Sequence, residues 1–399
     1  MSRFLPRIAL LIETSRGYAR GVLQGIARYA HIHGPWSFFI QEHVAESGFP
    51  AWLKNWKGHG IIARIQHLRS AEALLGLGFP VVDVMGRIRF EGIPSFATDP
   101  VAAAKMAADF FLDAGFHHFG FCGYKNAVFS DQRQAAFSAL LAQKGKELHV
   151  FSSASPYLSR SLYQAAERGG LSTERAVADW LERLPRPLAI FACNDFCGRQ
   201  VINACREHGI RVPEEVAVMG LDNDEVLCDL SDPPMTSIEP DTELLGFEAA
   251  KLLDQMMRKG RQGDELRRLV PPLRIVERAS TDIVAIEDSI TVQAVRFIRD
   301  NVDNGIATKD VLRHVNRSRT DLEQRFRHWL KCSVHDAILR RRLDRACSLL
   351  QQTEMRLDEV VRGTGFSTAP HFCRLFQRQF GKTPTEYRRN AANWQRFSL

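Results

Sequence analysis

Polar side chains suited to a hydroxyl-rich ligand follow a series of short apolar runs in the first 280 residues. The runs end on residues such as Arg64, Asp99 and Asn194, which a simple buried core does not need. Carboxylates accept hydrogen bonds from hydroxyls, guanidinium and amide groups donate in fixed geometry, and an aromatic ring covers a C–H surface. This chemistry predicts a sugar site with nine candidate residues: Glu13, Arg16, Tyr18, Arg64, Asp99, Arg133, Asn194, Asp195 and Asp222.

A local interpretation of the same residues stays open. Pairs such as Asn194-Asp195 and Asp222-Asn223 are also typical of turns and helix N-caps, which need no ligand. The repetition of polar residues at one predicted strand end after another favours the ligand interpretation.

The elements that position these residues alternate along the chain. Apolar runs predict strands at 8–12, 60–63, 81–84, 119–123, 188–192 and 216–221, and amphipathic patterns predict helices at 17–31, 101–114, 132–144, 173–184 and 196–208. A further helix at 241–259 precedes an extended stretch at 268–277. Strands separated by helices indicate βαβ units and parallel sheets. Two such sheets side by side leave a cleft at the carboxyl ends of their strands, where ligands bind.

The last 110 residues carry a different pattern, two helix-turn-helix units in tandem. Helices are predicted at 290–301, 308–315, 318–330, 334–352, 357–363 and 368–380. The apolar stripes Leu322–Phe326–Trp329 and Phe372–Phe376–Phe380 face the core and leave polar residues outward.

The positive charge is concentrated in this segment. The chain has a net charge of +7, and residues 286–399 contain 21 lysines and arginines against 13 acidic residues. A charge run by itself is also typical of a solvated face. Its coincidence with the helix-turn-helix pattern favours phosphate binding and predicts double-stranded DNA as a partner.

The first 280 residues resemble the effector domain of lactose-repressor-type regulators, a type I periplasmic-binding-protein fold. The resemblance rests on 191–195, 218–223, 236–240 and 277–281, and it covers roughly residues 7–282. It implies two lobes that are joined by three crossings and close on a sugar, with Asp99, Arg133, Asn194 and Asp222 at ligand positions. The chain departs from this family because no helix-turn-helix precedes the first strand.

The C-terminal segment closely resembles the AraC-type DNA-binding domain over about 100 residues. The signature is carried by Gly365-Phe366, Phe380-Gly381 and Tyr387-Arg388, among others. The resemblance implies that each unit places its second helix in a major groove. It puts base-reading positions at Thr320, Glu323 and Gln324 in the first unit and at Ala369, Pro370, His371 and Arg374 in the second, whereas Arg319, Arg378 and Arg388 suit phosphate. The side chains of Ala369 and Pro370 cannot donate hydrogen bonds, so the second helix is expected to read few bases, mostly through His371 and Arg374. The alternative for Glu323 is an ion pair with Arg319 or Arg327.

Together the two halves predict an α/β two-lobed sensor at 1–282 and an all-α tandem helix-turn-helix domain at 286–390. The pairing resembles regulators of pentose operons. It implies a homodimeric activator that contacts RNA polymerase, binds direct or inverted DNA repeats and responds to D-xylose, another monosaccharide or a sugar acid. Activation is implied by the resemblance alone, and repression is the alternative that the sequence leaves open.

Other classes fit the sequence less well. An enzyme with a fused DNA domain is the alternative from another class, but no phosphate loop, His-Glu-x-x-His or Gly-x-Ser-x-Gly motif is found. The scattered cysteines indicate neither a zinc site nor a disulfide framework, so we expect no metal and no cofactor. The N-terminal apolar run is too short for a signal segment, and no run approaches the roughly 20 apolar residues of a membrane span. We therefore expect a cytoplasmic protein without a membrane partner.

Overall fold

The chain divides into two compact units, Met1–Ala285 and Ile286–Leu399, called here the N-terminal unit and the C-terminal unit. The computed structural model describes residues 5–40, 51–65, 68–86, 90–125, 127–154, 174–259, 267–282, 288–353 and 355–389. Residue 173, where one helix is predicted to begin, lies outside these ranges, as do the ends of the two predicted domains at 1–4 and 390.

The N-terminal unit contains two six-stranded sheets, with strand orders β11-β5-β4-β3-β1-β2 and β12-β10-β9-β8-β6-β7. The pairings are parallel apart from the antiparallel pair of β10 and β12. The strands are β1 Arg7–Leu11, β2 Ser37–Ile40, β3 Gly60–Ala63, β4 Val81–Asp83, β5 Ser95–Thr98, β6 His118–Lys125, β7 Leu148–Ala154, β8 Leu188–Ala192, β9 Val216–Leu221, β10 Thr236–Pro240, β11 Arg267–Val270 and β12 Pro272–Val276.

Helices cover the sheets of the N-terminal unit. They are α1 Gly17–His33, α2 Leu68–Gly76, α3 Pro100–Asp113, α4 Val128–Ala142, α5 Asp195–Glu207, α6 Glu225–Asp229 and α7 Thr242–Lys259, with residues 174–181 also helical. Helices α1 and α7 pack backbone to backbone, because a Cβ on Gly25 would lie 2.0 Å from the carbonyl oxygen of Glu243. A Cβ on Gly246 would likewise lie 2.0 Å from the carbonyl oxygen of Val22.

The two sheets belong to two lobes that exchange chain three times. The first lobe packs α1 and α7 on its sheet, and the second buries α3, α4 and α5 in a separate core. The chain crosses between β5 and α3, between β10 and α7, and between β11 and β12. The extended stretch predicted at 268–277 is therefore two strands in different sheets, broken at Pro271. Proline lacks the N–H that a continuous strand needs at that point.

The sequence patterns missed four strands, β2, β5, β7 and β10. Strand β2 has only partly buried or exposed residues, and β5 has the short sequence Ser-Phe-Ala-Thr. Strand β7 mixes apolar and small polar residues at one edge of its sheet. These strands are stabilised by pairing with neighbours distant in sequence, which a local apolar pattern does not register.

The C-terminal unit is helical within its described residues. Its helices are α8 Ser289–Asn301, α9 Thr308–Val315, α10 Arg319–Trp329, α11 Val334–Gln352, α12 Leu357–Arg362 and α13 Ala369–Phe380, with residues 384–389 also helical. Two separate cores are centred on Phe326 and on Phe372 with Phe376, one for each helix-turn-helix unit. No helix in the described part of the chain combines the length and apolar character needed to cross a membrane.

The two helix-turn-helix units meet at a pair of glycines. Gly365 has a φ of +70°, and a Cβ there would lie 2.4 Å from the carbonyl oxygen of Val302 and 2.9 Å from the Cα of Gly305. Arg342 of α11 spans the same junction: it donates to the carbonyl oxygen of Ile306 at 2.9 Å and stands over the ring of Phe366 at 5.6 Å. A side chain at position 365 would therefore push the two units apart.

Candidate functional site

A cleft between the two lobes brings together seven of the nine sugar-site candidates. It is lined by Arg16, Tyr18, Arg64, Arg133, Asn194, Asp195 and Asp222, from both lobes. Its volume of about 90 Å³ limits the ligand to a small molecule. The lining combines four arginines with three carboxylates, because Arg267 and Asp224 also face the cleft.

Asp195 and Asp222 form the acidic side of the cleft. Asp195 is buried and accepts hydrogen bonds from the Ser237 hydroxyl at 2.5 Å and the Asp224 N–H at 2.7 Å. Burial raises the pKa of Asp195, and the charge of Asp222 raises it further. Burial also raises the pKa of Asp222, although the nearby charges of Arg133 and Arg64 oppose this rise. The pair thus has carboxyl groups that hold protons more tightly than usual.

Arg133 and Asn194, which belong to the same lobe as Asp195 and Asp222, also line the cleft. Arg133 is buried, donates to the carbonyl oxygen of Cys193 and stacks on Phe129 with its guanidinium carbon 5.3 Å from the ring centre. Asn194 caps α5, where its Oδ1 accepts from the N–H of Cys197 at 2.9 Å. The Asn194 side chain therefore serves both interpretations of the sequence, since it is an N-cap and also lines the cleft.

Tyr18 and Arg64 lie together on the first lobe. Burial raises the pKa of Tyr18, which is hydrogen-bonded to Thr98. The guanidinium carbon of Arg64 stands 5.7 Å from the centre of the Tyr18 ring. The two side chains offer an aromatic surface beside a cation, an arrangement suited to a small polar ring.

Two predicted site residues do not line the cleft. The Asp99 side chain caps α3, accepting from the N–H groups of Val101 at 2.8 Å and Ala102 at 3.1 Å. Glu13 accepts from Arg64 at 2.8 Å and holds that arginine in place. The Asp99 carboxylate thus has the N-cap role that the sequence left open, and the Glu13 carboxylate balances the charge of a cleft arginine.

Several cleft residues were not predicted. They include Thr98, Phe129, Gln132, Phe196, Asp224 and Arg267. Gln132 and Phe196 immediately adjoin predicted site residues, so the sequence held a signal for them. Arg267 begins β11, a strand that joins the first sheet after the chain has passed through the second lobe. No local sequence pattern identifies Arg267 as a cleft residue.

Contacts across the cleft hold the two lobes together. The N–H of Gly17 donates to Oδ2 of Asp224 at 2.8 Å, and Arg267 donates to Oε1 of Gln132 at 3.0 Å. The guanidinium carbon of Arg16 lies 5.4 Å from the centre of the Phe196 ring. The arrangement is therefore a closed cleft, with polar groups of both lobes facing the enclosed space.

In the C-terminal unit, the second helix of the first helix-turn-helix is α10. Ser318 caps it by accepting from the N–H of Asp321 at 3.2 Å. Arg319, Thr320 and Gln324 are exposed, as a reading helix requires. Glu323 is partly buried and lies 3.4 Å from the N–H of Val334 at the start of α11. Glu323 thus approaches a helix N-terminus. This contact involves neither Arg319 nor Arg327, the two ion-pair partners considered from the sequence.

The second helix of the second unit is α13. His371, Arg374 and Arg378 are exposed on it, whereas Phe372 and Phe376 are buried. Arg388 differs from its predicted phosphate role: it is partly buried and donates to the carbonyl oxygen of Met355 at 2.6 Å. That contact directs its guanidinium into the unit, so Arg388 acts here as a structural anchor.

Comparison with known proteins identifies the family. The chain is 30% identical over 390 residues to the xylose operon regulatory protein of Escherichia coli (strain K12), covering 96% of each chain. This chain belongs to the family of xylose operon regulatory proteins. The relative from Haemophilus influenzae in the same family is 29% identical over 392 residues, which cover 96% of this chain and 98% of the relative.

A solved structure of this xylose operon regulator family, described as a xylose-binding transcription activator, superposes with a TM-score of 0.77. It is 29% identical and covers 97% of this chain and 99% of its own. Family models match a XylR N-terminal domain at residues 7–100, a periplasmic binding protein-like domain at 108–281 and a helix-turn-helix domain at 311–390. The predicted fold class is confirmed, and the chain is a sugar-responsive DNA-binding transcription regulator. Its relatives are transcription regulators and not enzymes.

Proposed function

We propose that the cleft binds a pentose, D-xylose first, and that the regulator activates transcription of a pentose-utilisation operon. The observation that carries this proposal is the closed cleft of about 90 Å³ in which Asp195 and Asp222 face arginines across the two lobes. Carboxylates accept from adjacent ring hydroxyls while guanidinium groups donate to sugar oxygens. The choice of xylose is supported by the relatives, which are named as xylose operon regulatory proteins.

The charge balance of the cleft favours a neutral sugar. Four arginines and three aspartates line it, and the fourth carboxylate is Glu13, which is bound to Arg64 at 2.8 Å. Four positive side chains are therefore matched by four carboxyl groups. A sugar acid is the second candidate, because the raised pKa values of Asp195 and Asp222 reduce the negative charge of the cleft at slightly acidic pH.

The sugar closes the lobes by contacting residues of both. An effector with a differential affinity of about 1–3 kcal/mol for two states changes DNA occupancy about 5–150-fold. We propose that closure reorients two copies of the N-terminal unit in a homodimer and so spaces the C-terminal units on direct or inverted repeats. This activator then contacts RNA polymerase in the cytoplasm, where its DNA partner lies.

The DNA-reading roles follow from exposure. Thr320, Gln324, His371 and Arg374 are proposed to read base edges, because they are outward on the second helix of each unit. Arg319 and Arg378 are proposed to bind phosphates. Glu323 keeps a proposed role at a cytosine N4, since its contact with the N–H of Val334 is long at 3.4 Å.

Isothermal titration calorimetry against a sugar panel tests the effector. The panel contains D-xylose, D-ribose, L-arabinose, D-glucose and D-glucuronic acid. We expect saturable binding of D-xylose by the wild type, weakened at least about tenfold in Asp222→Asn and unchanged in the exposed control Asp113→Asn. Saturable binding of D-glucuronic acid without binding of D-xylose would overturn the choice of a neutral pentose.

Transcription in vitro tests activation. A duplex selected by the protein from random sequence is placed upstream of a weak promoter, and RNA polymerase is added with or without protein and D-xylose. We expect more transcript only when protein and sugar are both present. Less transcript with protein alone, relieved by sugar, would make the protein a repressor.

A further inference from the structure

The loop that follows β9 has an unusual backbone that requires support. Asp222 has a φ of 117° and Asn223 a φ of 43°, both in the left-handed region that non-glycine residues rarely adopt. Such residues persist only where the surrounding structure fixes them. Because Asp222 lines the cleft, whatever fixes this loop also sets the position of a carboxyl group in the site.

Arg278 provides that support from the closing segment after β12. Its Nη1 donates to the side-chain oxygen of Asn223 at 3.0 Å and to the carbonyl oxygen of Met235 at 3.1 Å. Its Nε donates to the Asp229 carboxylate at 3.0 Å. Only 15% of the Arg278 side chain is exposed, so these contacts are partly shielded from water. One guanidinium thus joins the left-handed loop, the end of α6 and the start of β10.

A second connection to the same loop runs through Ser237 of β10. The Ser237 hydroxyl accepts from the N–H of Asn223 at 3.1 Å and donates to Asp195 in the cleft at 2.5 Å. The neighbouring Thr236 Oγ1 accepts from the N–H of Arg278 at 2.8 Å. Strand β10 is therefore hydrogen-bonded to the Asp195 carboxylate, to the backbone of the loop at Asn223 and to the closing segment.

The closing segment is itself fixed by buried hydroxyls. The Ser280 hydroxyl donates to the carbonyl oxygen of Val218 at 2.6 Å and accepts from the N–H of Thr236 at 2.8 Å. The hydroxyls of Thr236 and Thr281 share a hydrogen bond of 2.7 Å. Ser280 and Thr236 are fully buried, where an unpaired hydroxyl is costly. The chain leaves this segment toward the C-terminal unit, which begins at Ile286.

We propose that Arg278 is a positioning residue that fixes the Asp222-Asn223 loop for the effector, and that its network couples the effector to the segment leading into the DNA-reading unit. This inference rests on the proposed sugar response of the cleft. A ligand that contacts Asp222 and Asp195 stabilises one arrangement of the loop and of β10. Arg278 of the closing segment is bonded to Asn223, and Thr236 of β10 is bonded to Arg278 and Thr281, so these contacts transmit that preference to the closing segment.

The test compares Arg278→Ala and Arg278→Lys with the matched control Arg274→Ala. Arg274 lies on β12, is 71% exposed and pairs with Glu239 at 2.7 Å without contacting the loop. Calorimetry with D-xylose is expected to give affinity about 10-fold or more weaker for R278A, an intermediate loss for R278K and less than about a twofold change for R274A. Thermal melting of each variant establishes that it is folded.

A double-mutant cycle separates positioning from general stabilisation. Asn223→Ala and Arg278→Ala are combined, and we expect the double variant to bind D-xylose about as weakly as R278A alone, because both changes remove one contact. Additive losses would contradict a direct clamp. For the coupling, Thr281→Val is expected to leave the D-xylose affinity within about threefold but to reduce the sugar-induced change in DNA affinity, measured by fluorescence anisotropy.

The outcomes distinguish this proposal from the choice of effector. If the wild type binds another sugar of the panel, the proposed pentose is wrong, and the same variants are measured with the sugar that binds. A folded R278A with wild-type sugar affinity and a wild-type DNA response overturns the role of Arg278. Should R278A fail to fold, R278K and N223A decide: wild-type behaviour of both overturns the proposal, and weakened sugar binding by both supports it.

Discussion

The N–H of Gly17 and the Oδ2 of Asp224 are 2.8 Å apart, and this hydrogen bond joins the first lobe to the second at the edge of the cleft. Gly17 begins α1, and a Cβ at this position would lie 3.2 Å from the Asp224 carboxyl carbon. The close approach places a charged acceptor against a helix N-terminus, where it is electrostatically favoured. The closed arrangement of the lobes thus has its own stabilising contact.

Removing this contact is expected to weaken effector binding. A hydrogen bond to a charged group contributes about 1.5–3 kcal/mol, so Asp224→Ala lowers sugar affinity by roughly 10-fold to 100-fold if the bond forms only on closure. Calorimetry gives the affinity, and Glu225→Ala, which removes the exposed carboxylate of the next residue, is the matched control. Equal affinities for D224A and the wild type would mean that the bond persists in the open state.

The stability of the N-terminal unit is expected to depend on the acidic pair. Burial raises the pKa of Asp195 to about 7 and that of Asp222 to about 6, against 3.8 for an unperturbed aspartate. Because the folded protein holds these protons more tightly than the unfolded chain, proton binding adds to the free energy of unfolding. This added stability is full below about pH 4 and is lost as pH rises through 6–7. The charged groups around Asp222 are Arg133, Arg64, Arg16 and Asp224.

The measurement is the melting temperature between pH 5 and pH 8, with and without Asp222→Asn. We expect the fall in melting temperature toward pH 8 to be smaller by a few degrees in D222N than in the wild type. The exposed Asp113→Asn is the control and should follow the wild type. Parallel curves for all three proteins would show that the pair does not titrate in this range.

The base-reading role proposed for α13 is tested by substitution of His371 and Arg374. Substituting His371 and Arg374 with alanine removes the exposed polar side chains of α13 nearest its start and relaxes sequence preference in one half of the site. Selection from random duplexes followed by sequencing measures this change. An equal loss of affinity for all sequences would contradict base reading by this pair.

Arg378→Ala is expected to act differently, because Arg378 is proposed to bind phosphate. Affinity should fall uniformly across sequences, and the slope of log affinity against log salt should decrease by about 1. Fluorescence anisotropy at several salt concentrations measures both quantities. A change of base preference without a change of slope would reassign Arg378 to base contact.

The glycine junction between the helix-turn-helix units provides a comparison with a built-in control. Gly365 and Gly381 have similar φ values of +70° and +68°, but a Cβ at Gly381 meets nothing within 4 Å. Alanine at either position incurs about 1–2 kcal/mol of backbone strain. Only Gly365→Ala also collides with the carbonyl oxygen of Val302 at 2.4 Å. Gly365→Ala is therefore expected to weaken binding to a two-part site much more than Gly381→Ala, as measured by anisotropy.

Binding to half-sites checks the origin of that loss. If Gly365→Ala only separates the units, its affinity for a duplex with one half-site should stay close to that of Gly381→Ala. Loss of half-site binding as well would indicate that the second unit has unfolded.

Many helices and strands follow from local patterns in the amino-acid sequence. Strands 60–63, 188–192 and 216–221 and helices 308–315 and 334–352 were predicted at their observed bounds. Long apolar or amphipathic patterns fix such elements because burial of one face depends only on residue type and period. The tandem helix-turn-helix signature and the placement of positive charge also follow from the linear sequence.

Which polar residues share the cleft depends on contacts between segments that are distant in the chain. Asp99 and Asp222 are equivalent in sequence, each an aspartate after a strand, yet the first caps α3 and the second lines the cleft. Arg267, Gln132 and Asp224 enter the site because the chain crosses three times between lobes, which brings distant segments to one edge. A local pattern specifies burial and turns, but the partner that satisfies a carboxylate or a guanidinium is chosen by folding, since it depends on donors far away in the chain.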